Sequence, residues 1–138
     1  MGIADGVAPV QKVTFDEMVQ GFIDQFAKVS WGTPDAEAGD MIGVVLQLQN
    51  AVDDDLVAVE RIRLTCTPTA TMTIKAAGNG TILAGDGTAD MIIETDAVTG
   101  SFDLEVTDVG VGVITVVGGA TQGSGHVSCR TSVDLTFA

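Results

Sequence analysis

The sequence predicts a mainly β protein, an antiparallel β-sandwich preceded by an N-terminal arm and one α-helix. Three observations predict it. From Met41 onward the apolar residues recur at every second position. Turn-forming clusters separate these stretches at short, regular intervals. Before Met41 the apolar spacing is instead three and four. A period of two buries only one face of a strand, so such strands need a second sheet to cover them.

Residues 1–13 read as an irregular arm with Gly2, Gly6 and Pro9. Thr14-Phe15-Asp16-Glu17 then fits a capping box, in which hydroxyl and carboxylate satisfy the free N–H groups of a helix start. Phe15, Met18, Val19, Phe22, Ile23 and Phe26 form one apolar stripe at helical spacing, which predicts a helix over 14–29. Gly32-Thr33-Pro34 ends it, and the small, acidic stretch 33–40 reads as a linker. The division expected is an arm, helix and linker over 1–40 and a sandwich domain over 41–138.

The strands expected are 42–49, 57–66, 70–75, 89–95, 101–107, 111–117 and 127–137. Their inward residues are Ile42, Val44, Leu46 and Leu48, then Ile62, Leu64 and Cys66, then Ala70, Met72 and Ile74. The alternation is strictest after the turn at 96–100, where Phe102, Leu104 and Val106 face one way and Ser101, Asp103, Glu105 and Thr107 the other. In the last strand Val127, Cys129, Val133, Leu135 and Phe137 share a face with Thr131. Seven short strands with turns between them suit a sandwich of roughly 100 residues.

Charge narrows the function classes. Six Lys and Arg stand against 19 Asp and Glu, a formal net charge of −13. Phosphate contacts come from Lys and Arg, so the balance opposes nucleic-acid binding and an anionic membrane surface alike. The acid is dispersed, the longest run being Asp53-Asp54-Asp55, and favours solubility at high local concentration. The first residues carry neither a basic region nor an apolar core of a secretory signal, so synthesis and retention in a cytosol are expected. Cys66 and Cys129 both fall on apolar strand faces. They read either as two buried thiols in a reducing compartment or as a disulfide between the sheets.

The motif Thr95-Asp96-Ala97-x-x-Gly100-x-Phe102-x-Leu104-x-Val106-Thr107, followed by Gly112-Val113-Ile114-Thr115-Val116, resembles the signature of bacterial immunoglobulin-like domains of the invasin type. In that family a T-D-A-x-G turn leads into an alternating strand and then a short G-x-x-T-V strand. Gly85-Asp86-Gly87-Thr88-Ala89 matches the family's Gly/Asp turn before the next strand. The match covers about a third of the chain. It departs from the family in having one copy, no export signal and a helical arm. A single domain of this kind with an arm is similar to small virion proteins of tailed phages, notably capsid decoration (cement) proteins, a likeness of architecture. The resemblance implies an Ig-like fold, localisation in the virion after synthesis in a host cytoplasm, and the major capsid protein or further copies of the chain as partners. A homo-oligomer is expected, a trimer at the three-fold positions of a shell being the arrangement that shell geometry suggests, while the sequence itself leaves monomer, dimer and trimer open.

No constellation for chemistry stands out, so an enzyme is not expected. His126 is the single histidine and has no G-x-S-x-G elbow beside it. The glycine-rich stretch 118–125 lacks the lysine of a phosphate-binding loop and reads as a long hairpin. Asp53-Asp54-Asp55, and Asp86 with Asp90, do not have EF-hand spacing, so no metal or other cofactor is expected. A carbohydrate- or cell-binding adhesion module is the alternative function, although the chain has no Tyr and one Trp to form a sugar platform. The large apolar groups Phe15, Met18, Phe22, Phe26 and Trp31 lie outside the expected sandwich strands. Anchors of this kind carry most interface energy, so these five are the expected partner-binding residues, the alternative being that the stripe from Phe15 to Phe26 packs on the sandwich.

Overall fold

The computed structural model describes residues 27–120 and 127–138. These hold ten strands: β1 (Ala27–Trp31), β2 (Met41–Gln49), β3 (Arg61–Cys66), β4 (Thr71–Ile74), β5 (Thr81–Ala84), β6 (Asp90–Glu94), β7 (Ser101–Thr107), β8 (Gly112–Ala120), β9 (Val127–Cys129) and β10 (Thr131–Phe137). One sheet has the order β4-β7-β2-β1-β9 and the other β10-β8-β3-β6-β5. Every ladder is antiparallel except β1 with β9, which is parallel. No helix occurs among the described residues. The expected arm 1–13 and residues 14–26 of the expected helix lie outside them.

The two sheets share one core, in a sandwich-like arrangement. Ile42, Val44, Leu46 and Leu48 of β2 and Phe102, Leu104 and Val106 of β7 are buried, as their alternation predicts. Ile62, Leu64, Met91, Ile93, Ile114, Val116, Leu135 and Phe137 of the other sheet face them, and Val29, Ala70 and Met72 belong to the same cluster. Burial of such side chains is the main favourable term, at about 1.5–3 kcal/mol each. Among residues expected to face outward, Ser101 departs, being 4% exposed. Its hydroxyl lies 2.7 Å from that of Thr99, within the turn that folds over it.

Four expectations are corrected. Residues 27–29 are strand, not the end of a helix. Phe26 and Val29 have helical spacing, but Val29 and Trp31 also alternate with Lys28 and Ser30, and the open edge of β2 supplies the ladder from Lys28↔Gln49 to Trp31↔Leu46. Tertiary pairing here overrides local pattern. The stretch 33–40 is no free linker. The Gly32 and Asp35 N–H groups donate to the Val45 and Gly43 carbonyls, both at 2.8 Å. Gly39 and Asp40 then take φ of 61° and 64° and close a two-residue hairpin between Ala38 and Met41.

The segment 127–137 is two strands, not one. It breaks at Arg130, so that β9 joins β1 in one sheet and β10 joins β8 in the other. A chain that crosses between sheets closes the side of a sandwich, and periodicity does not register the crossing. The fourth correction concerns number: β1 and β5 are added to the expected set. β5 gave little signal because Ile82 alone of its four residues is even partly buried.

Candidate functional site

Of the five expected partner-binding residues, Phe15, Met18, Phe22 and Phe26 lie outside the described residues. Trp31 is in β1, inside the sheet and not beyond it. Its Nε1 donates to Thr131 Oγ1 at 3.0 Å, and Thr131 Oγ1 in turn donates to the Val29 carbonyl at 2.9 Å. This chain of bonds fastens β10 to β1 across the side of the sandwich. The indole also explains Gly118. A Cβ there would sit 3.1 Å from both Trp31 Cζ2 and Leu64 Cδ2. Glycine lets the ring approach β8 closely, and Gly118, Gly119 and Ala120, expected in a loop, belong to the strand. The remainder of that loop, 121–125, and His126 lie outside the described residues.

The turn that opens the family-like motif is a folding device. Asp96 Oδ2 accepts the N–H groups of Val98 and Thr99 at 2.9 and 3.0 Å, and the Thr99 hydroxyl at 3.2 Å. Those backbone N–H bonds hold the Asp96 carboxyl below its ordinary pKa. Gly100 has φ of 69°, and a Cβ there would lie 2.0 Å from the Leu56 carbonyl oxygen. The turn and the 56–60 segment are therefore pressed together, and Thr95 Oγ1 ties them further by accepting the Glu60 N–H and donating to the Ala58 carbonyl.

One cleft of about 260 Å³ opens on the outside of the β4-β7-β2 sheet, lined by Thr33, Asp35, Lys75, Gly78 and Asp103 among others. Lys75 Nζ is 2.9 Å from Asp35 Oδ2, a contact that raises the lysine pKa through its hydrogen bond first and its charge second. Asp103 Oδ2 accepts the Asn79 N–H at 2.8 Å and shapes the adjoining turn. No His, Cys or Ser lines this cleft, and its one lysine is already paired.

Four of the five acidic groups weighed as cation ligands have side-chain partners. Asp53 pairs with Lys28, Asp55 accepts from Gln49, Asp86 from Thr73, and Asp90 takes Arg63 through both carboxylate oxygens. Among the described residues no three His, Cys, Asp or Glu side chains are placed to share a metal ion. Cys66 is a free thiol, half-buried, with its pKa raised by burial first and by Asp108 second. Exposed valines mark the sandwich ends, with Val98 80% exposed at one and Val109 and Val111 each 84% at the other. No helix among the described residues is long and apolar enough to cross a membrane.

No protein-family model matches the sequence, and no curated protein matches it. The likeness to invasin-type domains rests on the turn and strand residues alone.

Proposed function

We propose that this chain is an Ig-like, non-enzymatic structural protein of a virion, one that decorates and cements a phage capsid shell. The observation that carries the reading is where the large aromatic groups fall. Phe102, Phe137 and Trp31 belong to the two-sheet body, whereas Phe15, Phe22 and Phe26 precede it in the sequence at helical spacing. Phe15, Met18, Phe22 and Phe26 are the docking residues in this reading. Trp31 has an internal role through Thr131 and Gly118.

Strand order supports the Ig-like part. The series β4-β7-β2-β1 follows the D-E-B-A order of an Ig sheet, and β10-β8-β3 follows G-F-C. The chain departs from that plan by visiting β4 before β5 and β6, which extend the second sheet beyond β3. A surface of dispersed acid, in a chain of net charge −13, would keep decorated particles apart. Cementing works by bridging neighbouring capsomers. Many weak contacts add as avidity, and a binder that prefers the assembled shell stabilises it by mass action.

Cryo-electron microscopy of particles carrying the protein tests the reading. Hundreds of copies on the shell lattice, with a higher heat-release temperature than bare shells, are expected. A few copies at a tail or fibre, with glycan binding and no shell density, would replace it with the adhesion module.

A further inference from the structure

We infer that the open edge of β10 is a docking site for an extended segment of another polypeptide, one that carries a Lys or Arg opposite Asp134. The inference is independent of the virion reading, because it follows from the sheet edges alone. A strand edge presents unpaired N–H and C=O groups and can accept a further strand unless something blocks it.

Three of the four terminal strands are short, and two of them are also obstructed. β4 has four residues, and its free side is bridged, with the Met72 N–H donating to the Thr88 carbonyl and the Gly87 N–H to the Met72 carbonyl. β5 has four residues and a register shift between Ile82 and Ala84, which twists the edge. β9 has three. β10 has seven, in unbroken register with β8 from Thr131↔Gly118 to Phe137↔Gly112. Among the described residues no strand pairs with its other side. Both ends of β10 are fixed, by Thr131 Oγ1 on the Val29 carbonyl and by the Ala138 N–H on Glu37 Oε1 at 2.7 Å. Both ends of the strand are thus tied down before any partner arrives, which lowers the ordering cost of binding.

Charge selects the occupant. Ser132, Asp134 and Thr136 form the exposed face of β10; Asp134 is its central residue, and its Oδ1 accepts the Thr115 hydroxyl of β8 at 2.8 Å, a neutral partner that leaves its negative charge without a Lys or Arg among the described residues. Antiparallel pairing of this edge with a second copy, centred on the strand, would set Asp134 against Asp134, and like charges directly opposite repel. In a chain of net charge −13 a second copy is the wrong partner. A basic residue opposite Asp134 fits instead. Val133 on the inner face is only partly buried, so the segment's flanking inner residues should be apolar.

The test uses the full-length, nitrogen-15-labelled protein and a heptapeptide of alternating valine and threonine with a central lysine. Shift changes and slowed amide exchange confined to 131–137 are expected at millimolar peptide. Binding should weaken about fivefold or more when the central lysine becomes glutamate, and vanish when the peptide backbone is N-methylated on its pairing side. Asp134→Lys should reverse the lysine-over-glutamate preference, while the peptide charge swap on the unaltered protein needs no variant to fold. No change over 131–137, equal response to the N-methylated peptide, or concentration-dependent self-pairing of β10 would each overturn the proposal. So would β10 amides already protected in the free protein and released by deleting residues 1–26, since the chain's own arm would then occupy the edge.

Discussion

Replacing Trp31 with alanine should unfold this protein more easily and should not act merely by removing a contact surface. An aromatic side chain buries about 150–250 Å² when covered. Trp31 is partly buried, so about 150 Å² at ~25 cal/mol/Å² gives an upper figure of about 4 kcal/mol. The lost bond to Thr131 adds about 1 kcal/mol. Relaxation around Gly118 and Leu64 recovers part of this, so about 3 kcal/mol is expected for Trp31→Ala. Trp31→Phe, which keeps the ring but not the donor, should lose about 1 kcal/mol. In a chain of 138 residues the alanine loss corresponds to a fall in Tm on the order of 10 °C. The assay is urea unfolding followed by far-ultraviolet circular dichroism, because the chain has one Trp and no Tyr and the variant has no useful fluorescence. Combining Trp31→Phe with Thr131→Val should show coupling, since one hydroxyl serves both Trp31 and Val29. A Trp31→Ala protein that loses less than about 1 kcal/mol while losing attachment or oligomerisation would refute the packing account and return Trp31 to the docking residues.

Gly100→Ala should lose about 3 kcal/mol or more, because alanine is strained at φ of 69° and its Cβ would overlap the Leu56 carbonyl; thermal melting checks it, and a variant as stable as the parent would show that the 56–60 segment can move aside. Asp96 gives a pH dependence. Its folded pKa is depressed, so its ionised form stabilises the turn above the ordinary carboxylate pKa near ~4, and that contribution disappears as pH falls through the lower folded value. Asp96→Asn, which cannot ionise, should therefore differ from the parent at pH 6 and converge with it in acid; denaturant titrations whose difference stays constant from pH 6 to pH 2 would contradict this.

Local pattern determined a good deal of this protein. The strict alternation of Phe102, Leu104 and Val106, and of Ile42 to Leu48, named the buried face of each strand, because a residue's side of a pleat depends only on its parity. Asp96 and Gly100 marked a turn for reasons contained within five residues. Only the tertiary structure decided which sheet each strand joins. Trp31 read as an outlier because its partners, Thr131 and Gly118, lie about a hundred and about ninety residues away in sequence. The break at Arg130 lies inside one continuous alternation, yet it sends Val127–Cys129 to β1 and Thr131–Phe137 to β8. The edge of β10, unpaired among the described residues, has no sequence signal, since an edge is defined by which neighbours a strand has. Periodicity records which way a side chain points, while strand pairing is chosen by long-range backbone bonds and by the shape of the facing layer.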